Sequence, residues 1–196
     1  IIGSSVSFAP KGHIVKFGED ELIVDSKWVV GSKAFHLGKE ENNQYKASVK
    51  KHLSELVEDT KVLFMFGSLD CRPDEGILAA AKKTDQDASK ITSKTVSRYF
   101  KNILEMSKEA EIEPIFCGVS APWLDSKVPD DDKELVTVIK QFNDELKTFC
   151  DAKDIMFVDL HKLTDAGAGK ADGKKHIDQH HLVPSVITEA LGACSY

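Results

Sequence analysis

Hydrophobic positions in this chain fall into short unbroken runs separated by longer stretches of helical periodicity. The run Val62-Leu63-Phe64-Met65-Phe66 lies between Lys61 and Gly67. It is too short for a buried helix and suits a strand covered on both faces, as in a parallel sheet. Runs at Ile1-Ile2, Ala34 to Leu37, Pro114 to Val119 and Met156 to Leu160 predict further strands of the same sheet. Between them, Tyr45, Val49, Leu53, Leu56 and Val57 share one helical face behind the start signal Asn42-Asn43. Ile91, Val96, Tyr99, Phe100, Ile103, Leu104 and Met106 define a second amphipathic helix, after a polar stretch containing Ala79, Ala80, Ala81 and Ala88. A third carries Leu135, Ile139, Phe142, Leu146 and Phe149 behind Asp130-Asp131-Asp132, where acidic charge suits the helix dipole. Pro184 fits the first turn of a short final helix through Val186, Ile187, Ala190 and Leu191.

From His13 to Leu37 the pattern is β or irregular. His13 to Phe17 and Glu21 to Val24 predict a hairpin, Trp28-Val29-Val30 reads as β, and Gly38 closes the strand expected at Ala34 to Leu37. Strands alternating with helices predict an α/β fold, a three-layer α/β/α sandwich on a mostly parallel sheet. A length of 196 residues suits a single domain over 1–196. The segment Asp165 to Lys175, rich in glycine and lysine, predicts a flexible loop and lacks the G-x-x-x-x-G-K-[S/T] frame of a phosphate-binding loop.

Composition narrows the function classes. With 41% hydrophobic and 30% charged residues the chain is globular in character, and no apolar run approaches the roughly 20 residues of a membrane span. A net charge of -6 argues against nucleic acid as a partner, because phosphate-backbone binders present a basic face. Cys71, Cys117, Cys150 and Cys194 are too dispersed for a disulfide scaffold and are expected as reduced thiols, which suits a cytoplasmic protein. Ile1-Ile2 read as already inside a strand, so the chain is expected to be a segment of a longer one.

Candidate chemistry gathers at the strand ends. Ser4-Ser5 follow the first run, Asp70 and Arg72 the third and Ser120 to Trp123 the fourth, while Asp178 and His181 belong to the carboxyl-terminal loop. In a parallel sheet such loops emerge at one edge, so a serine, a histidine and carboxylates can meet there. Taken singly, a serine-rich turn and a loop ion pair are more often just that.

In order and spacing these blocks resemble the SGNH/GDSL hydrolases, esterases, lipases and carbohydrate deacetylases on a flavodoxin-like fold. Gly3-Ser4-Ser5 matches the family's G-D-S turn, with Ser5 in the nucleophile position. Gly67-Ser68-Leu69-Asp70 matches G-x-N-D, and Asp178-Gln179-His180-His181-Leu182-Val183-Pro184 matches D-x-x-H followed by leucine and proline. Asp70-Cys71-Arg72 is also similar to the subset reading G-E-I-D-C-R, with Ser68 in place of the glutamate. The resemblance implies a serine esterase with Ser5, Asp178 and His181 as catalytic residues, Gly38 donating a backbone N–H to the oxyanion, Asp70 and Arg72 organising the floor, and no cofactor. Its substrate would be a small-molecule or carbohydrate ester. Trp123 and His36 are candidate wall residues, set against a buried structural role for the tryptophan and a plain surface position for the histidine.

The departures open a second reading. Ser4 stands where the family has aspartate, Leu69 stands where it has an oxyanion-donating asparagine, and the segment between the first two strands reads as β rather than helix. A domain that kept the fold and lost catalysis, serving as a carbohydrate-recognition or scaffold module, is the alternative to the enzyme. A metal site in His176-x-Asp178-x-His180-His181 has suitable residue types, but adjacent histidines in an extended segment point to opposite sides.

Overall fold

The computed structural model describes residues 1–8, 10–124 and 129–193. Its centre is the strand β5 (Lys61–Met65), flanked by β1 (Ile2–Gly3) and β6 (Glu113–Cys117), with β4 (Lys27–Trp28) and β7 (Phe157–Val158) at the edges. All four pairings are parallel, in the order β4-β1-β5-β6-β7. Taken in chain order, this is the doubly wound arrangement whose direction of winding reverses between the first and third strands, here β1 and β5.

Alternation along β5 builds two cores. Val62, Phe64 and the following Phe66 face the layer of α1 (Ala34–Leu37), α2 (Gln44–Leu53), α3 (Ile77–Thr84), α4 (Ala88–Glu109) and α5 (Pro129–Asp151). Leu63 and Met65 face the other side, covered by the antiparallel hairpin β2 (Ile14–Phe17) and β3 (Asp20–Ile23), α6 (Leu160–Thr164) and α7 (Pro184–Gly192). Val15 and Phe17 turn inward from β2 while Ile14 and Lys16 turn out, the two-residue period of a half-covered strand. The predicted hairpin is therefore present, and it covers a sheet face beside α7.

Two predicted strands are corrected. Ala34 to Leu37 is the helix α1: Ala34 and Leu37, three apart, are buried whereas Phe35 is 51% exposed, a helical rather than an alternating pattern. The sheet strand of this region is Lys27–Trp28, registered against Ile2 and Gly3. The last run is strand only at Phe157–Val158, because the Asp159 carboxylate accepts the Lys162 N–H at 2.8 Å and starts α6. The alanine-bearing stretch contains α3, which the apolar pattern alone did not mark. The first predicted helix ends at Leu53, leaving Val57 77% exposed.

Other local readings match the elements found. Asn43 caps α2, its side-chain oxygen accepting from the N–H groups of Tyr45 and Lys46. Pro184 opens α7. The segment 165–175 is a loop, as expected, but tied rather than free: Asp165 accepts from the N–H groups of Gly167 and Gly169, and Lys170 pairs with the buried Asp132 at 2.9 Å. Cys71 and Cys150 are buried free thiols, with Cys150 pushed up to about 12 by burial; Cys117 is buried as well, and Cys194 lies outside the described residues. Among the described residues no helix is long and apolar enough to cross a membrane.

Candidate active site

Ser5 leaves the carboxyl end of β1 because the chain there can approach β5 closely. A Cβ on Gly3 would stand 2.6 Å from the Met65 carbonyl oxygen and 2.8 Å from Ser7 Cβ, so only glycine fits. The chain then folds into a 3₁₀ turn over Ser5–Phe8, in which the Ser4 carbonyl accepts from both the N–H (3.0 Å) and the hydroxyl (2.7 Å) of Ser7. Ser5 is the first residue of that turn and is half-buried.

Its partner arrives from the other end of the chain. The segment before α7 is pinned by a bridge between the buried His176 and Leu182, and the intervening residues protrude as a tight turn. Within it, Asp178 Oδ1 accepts from the backbone N–H groups of His180 (2.8 Å) and His181 (2.9 Å). The same carboxylate meets His181 Nδ1 at 2.8 Å, and His181 Nε2 lies 3.1 Å from Ser5 Oγ. Hydrogen bonds from the His180 N–H and the His181 ring hold the Asp178 carboxyl down at about 2, so it stays ionised beside the imidazole. A serine, an imidazole and a carboxylate thus stand in one hydrogen-bonded line, an arrangement able to move a proton off the hydroxyl.

The remaining expected site residues divide. Asp70 is buried and turned to α1: its two oxygens accept from the N–H groups of Ala34 (2.7 Å) and Phe35 (2.9 Å), capping that helix from another loop. Burial raises its carboxyl to about 6. Arg72 pairs with Glu75 at 3.0 Å and borders a cavity of about 140 Å³ shared with Ser68, Ser120, Trp123, Gln179 and His180. The Gly38 N–H, expected at the oxyanion, donates to the Ala34 carbonyl at 2.8 Å, and a Cβ added at Gly38 would stand 3.0 Å from Arg98 Cβ and 3.1 Å from the Tyr99 nitrogen of α4. The expectation rested on a strand at Ala34 to Leu37; the glycine that follows the true second strand is Gly31, which the sequence shows directly after Trp28-Val29-Val30.

Trp123 is half-buried against Gly173, borders the same cavity, and has its ring 6.2 Å from that of His176. His36 is instead a local cap: its Nδ1 accepts the Lys33 N–H and its ring stacks on Tyr45 at 4.3 Å. The sequence offered His180 only as a candidate metal ligand and did not single out Gln179; both border this cavity and lie between the two matched positions of the D-x-x-H block. Burial and the nearby Arg72 lower the pKa of His180 and so favour its neutral form. Among the described residues no three His, Cys, Asp or Glu side chains converge as a metal site requires.

No protein-family model matches the sequence, and no curated protein matches it. Solved structures do resemble the fold. A catalytic mutant of an acetylxylan esterase from Geobacillus stearothermophilus superposes with a TM-score of 0.59 at 12% identity, covering 97% of this chain and 88% of that one. A GDSL-like lipase from Bacteroides thetaiotaomicron gives 0.55 at 16% identity, over 85% and 74%. In the Geobacillus esterase, replacements of a serine, of a histidine and of an aspartate three positions before that histidine are each described as catalytic mutants.

Proposed function

From the SGNH-hydrolase fold of this chain we propose a serine ester hydrolase in which Ser5 is the nucleophile, His181 the general base and Asp178 the residue that orients it. The observation that carries the reading is the 3.1 Å contact between Ser5 Oγ and His181 Nε2, backed by the Asp178 carboxylate. His181 takes the hydroxyl proton as Ser5 Oγ bonds to the ester carbonyl carbon; the tetrahedral adduct collapses and the leaving alcohol takes the proton from His181. Water then repeats the sequence against the acyl-serine and frees the acid. Asp178 fixes the tautomer that leaves Nε2 unprotonated and stabilises the imidazolium that forms.

The substrate class follows from the surroundings. The cavity bordered by Gln179 and His180, the two residues before His181, is small, about 140 Å³, and mixes Trp123, Leu135 and Ile139 with Arg72, which suits a short acyl ester on a polar body. The acetylxylan esterases among the similar structures support a carbohydrate ester. A fluorophosphonate probe should label Ser5 in wild type and not after Ser5→Ala, and acetylated xylo-oligosaccharide or a small aryl acetate should be hydrolysed by the wild type alone.

The rival reading, a catalytically silent binding domain, is favoured by Leu69 at the donor position and by the engaged N–H of Gly38. Absence of both labelling and turnover, with sugar binding retained, would establish it.

A further inference from the structure

The winding of the sheet reverses between β1 and β5, so the loops leaving these strands diverge and open a crevice. Gly3 pairs with Met65, and continuing that register brings Ser5 level with Gly67, next to Ser68. Ser68 Oγ stands 3.4 Å from Ser4 Oγ. Ser4 is 1% exposed and held by its N–H on the Met65 carbonyl and by the two bonds that its own carbonyl accepts from Ser7. Its backbone is therefore held in place, and its hydroxyl meets the hydroxyl of Ser68. Ser68 in turn is half-buried and borders two hollows, the 140 Å³ cavity shared with Gln179 and His180 and a crevice of about 20 Å³ behind Val6, Val119 and Ser120. Its hydroxyl meets that of Ser4, the residue before Ser5, and it lines a cavity with Gln179 and His180, the two residues before His181, while its neighbour Leu69 has no side-chain proton to donate.

Resting on the serine-hydrolase reading, we infer that the Ser68 hydroxyl, oriented by Ser4, donates the side-chain hydrogen bond to the oxyanion that Leu69 cannot supply. Ser4 donates to Ser68 Oγ and leaves the proton of Ser68 free for the negative oxygen that develops as Ser5 attacks. A hydroxyl can play either part in such a pair, whereas a carboxylate only accepts. An aspartate at position 4 would draw the Ser68 proton to itself. The serine at 4 and the leucine at 69 are then two halves of one arrangement, in which the donor has moved by one residue along the loop.

The test is steady-state hydrolysis of an aryl acetate together with the rate of fluorophosphonate labelling at Ser5, measured by mass spectrometry on the whole chain. Loss of one oxyanion donor typically costs about 10²-fold or more in kcat. Ser68→Ala should lower kcat and the labelling rate by about that factor, with KM within about two-fold and the thermal midpoint unchanged. Ser68→Thr, which keeps the hydroxyl, should restore most of both rates, and Ser4→Asp should behave like Ser68→Ala. Wild-type rates in Ser68→Ala would overturn the assignment, and so would an equal loss in Ser68→Ala and Ser68→Thr accompanied by a lowered midpoint. A wild type that neither labels nor turns over would remove the hydrolase reading itself, and this inference with it.

Discussion

Ser5 Oγ and His181 Nε2 lie 3.1 Å apart although 176 residues separate them. Nothing local to either residue holds that distance: one is set by the turn after β1, the other by the His176–Leu182 bridge and the Asp178 turn. Ser5→Ala should abolish ester hydrolysis and probe labelling. The thermal midpoint should stay nearly unchanged, since removing a half-buried turn hydroxyl alters stability by about 0.5 kcal/mol or less. Comparing turnover with thermal melting of the two proteins checks both halves.

Asp178 separates orientation from attack. Its carboxyl is held at about 2, first by the His180 N–H and then by the His181 ring, so it remains charged at every pH at which the enzyme would be assayed. Asp178→Asn keeps an oxygen for the backbone N–H groups but presents the imidazole with a neutral amide that no longer enforces one tautomer. The expected result is a fall in kcat of about 10²–10⁴-fold with KM little changed, read from Michaelis curves at fixed pH. Equal kcat in the two proteins would remove Asp178 from the mechanism.

Asp70 gives a pH dependence of stability. Burial raises its carboxyl from the ordinary 3.8 to about 6, so the folded protein binds this proton more tightly than the unfolded chain. The contribution of the group to stability is thus full below about pH 4 and is lost as the pH rises through about 6, by roughly 3 kcal/mol at most. Asp70→Asn cannot titrate. The stability advantage of wild type over Asp70→Asn, from urea unfolding, should therefore be larger at pH 4 than at pH 7, while changes from all other groups cancel in the difference.

Gly3→Ala tests the close approach that aims Ser5. Its new Cβ would meet the Met65 carbonyl oxygen at 2.6 Å and Ser7 Cβ at 2.8 Å, neither of which can swing away. A loss of about 1–3 kcal/mol in urea unfolding is expected, as for other overpacked sites. Probe labelling of Ser5 should fall as well, because β1 must shift from β5 to relieve the clash.

What the chain reveals by itself is whatever depends on near neighbours in sequence. The run Val62 to Phe66 announces a doubly covered strand, Asn43 and Pro184 announce helix starts, and the hairpin is legible from His13 to Val24. Ser5, Asp178 and His181 could be nominated because each sits in a short block of recognisable order. Other features depend on partners far along the chain. Ala34 to Leu37 carries an apolar run as good as a strand's, yet it is a helix whose first N–H groups are taken by Asp70, which lies 36 residues from Ala34 and was expected at the site. With that helix in place Gly38 closes it, and its N–H is turned to Ala34 rather than to a substrate. The meeting of the Ser4 and Ser68 hydroxyls, across 64 residues, is likewise a product of the β1–β5 register. Periodicity and capping act over a few residues, so sequence carries them openly; the destination of a buried carboxylate or hydroxyl is settled by which unpaired donor the folded sheet brings beside it.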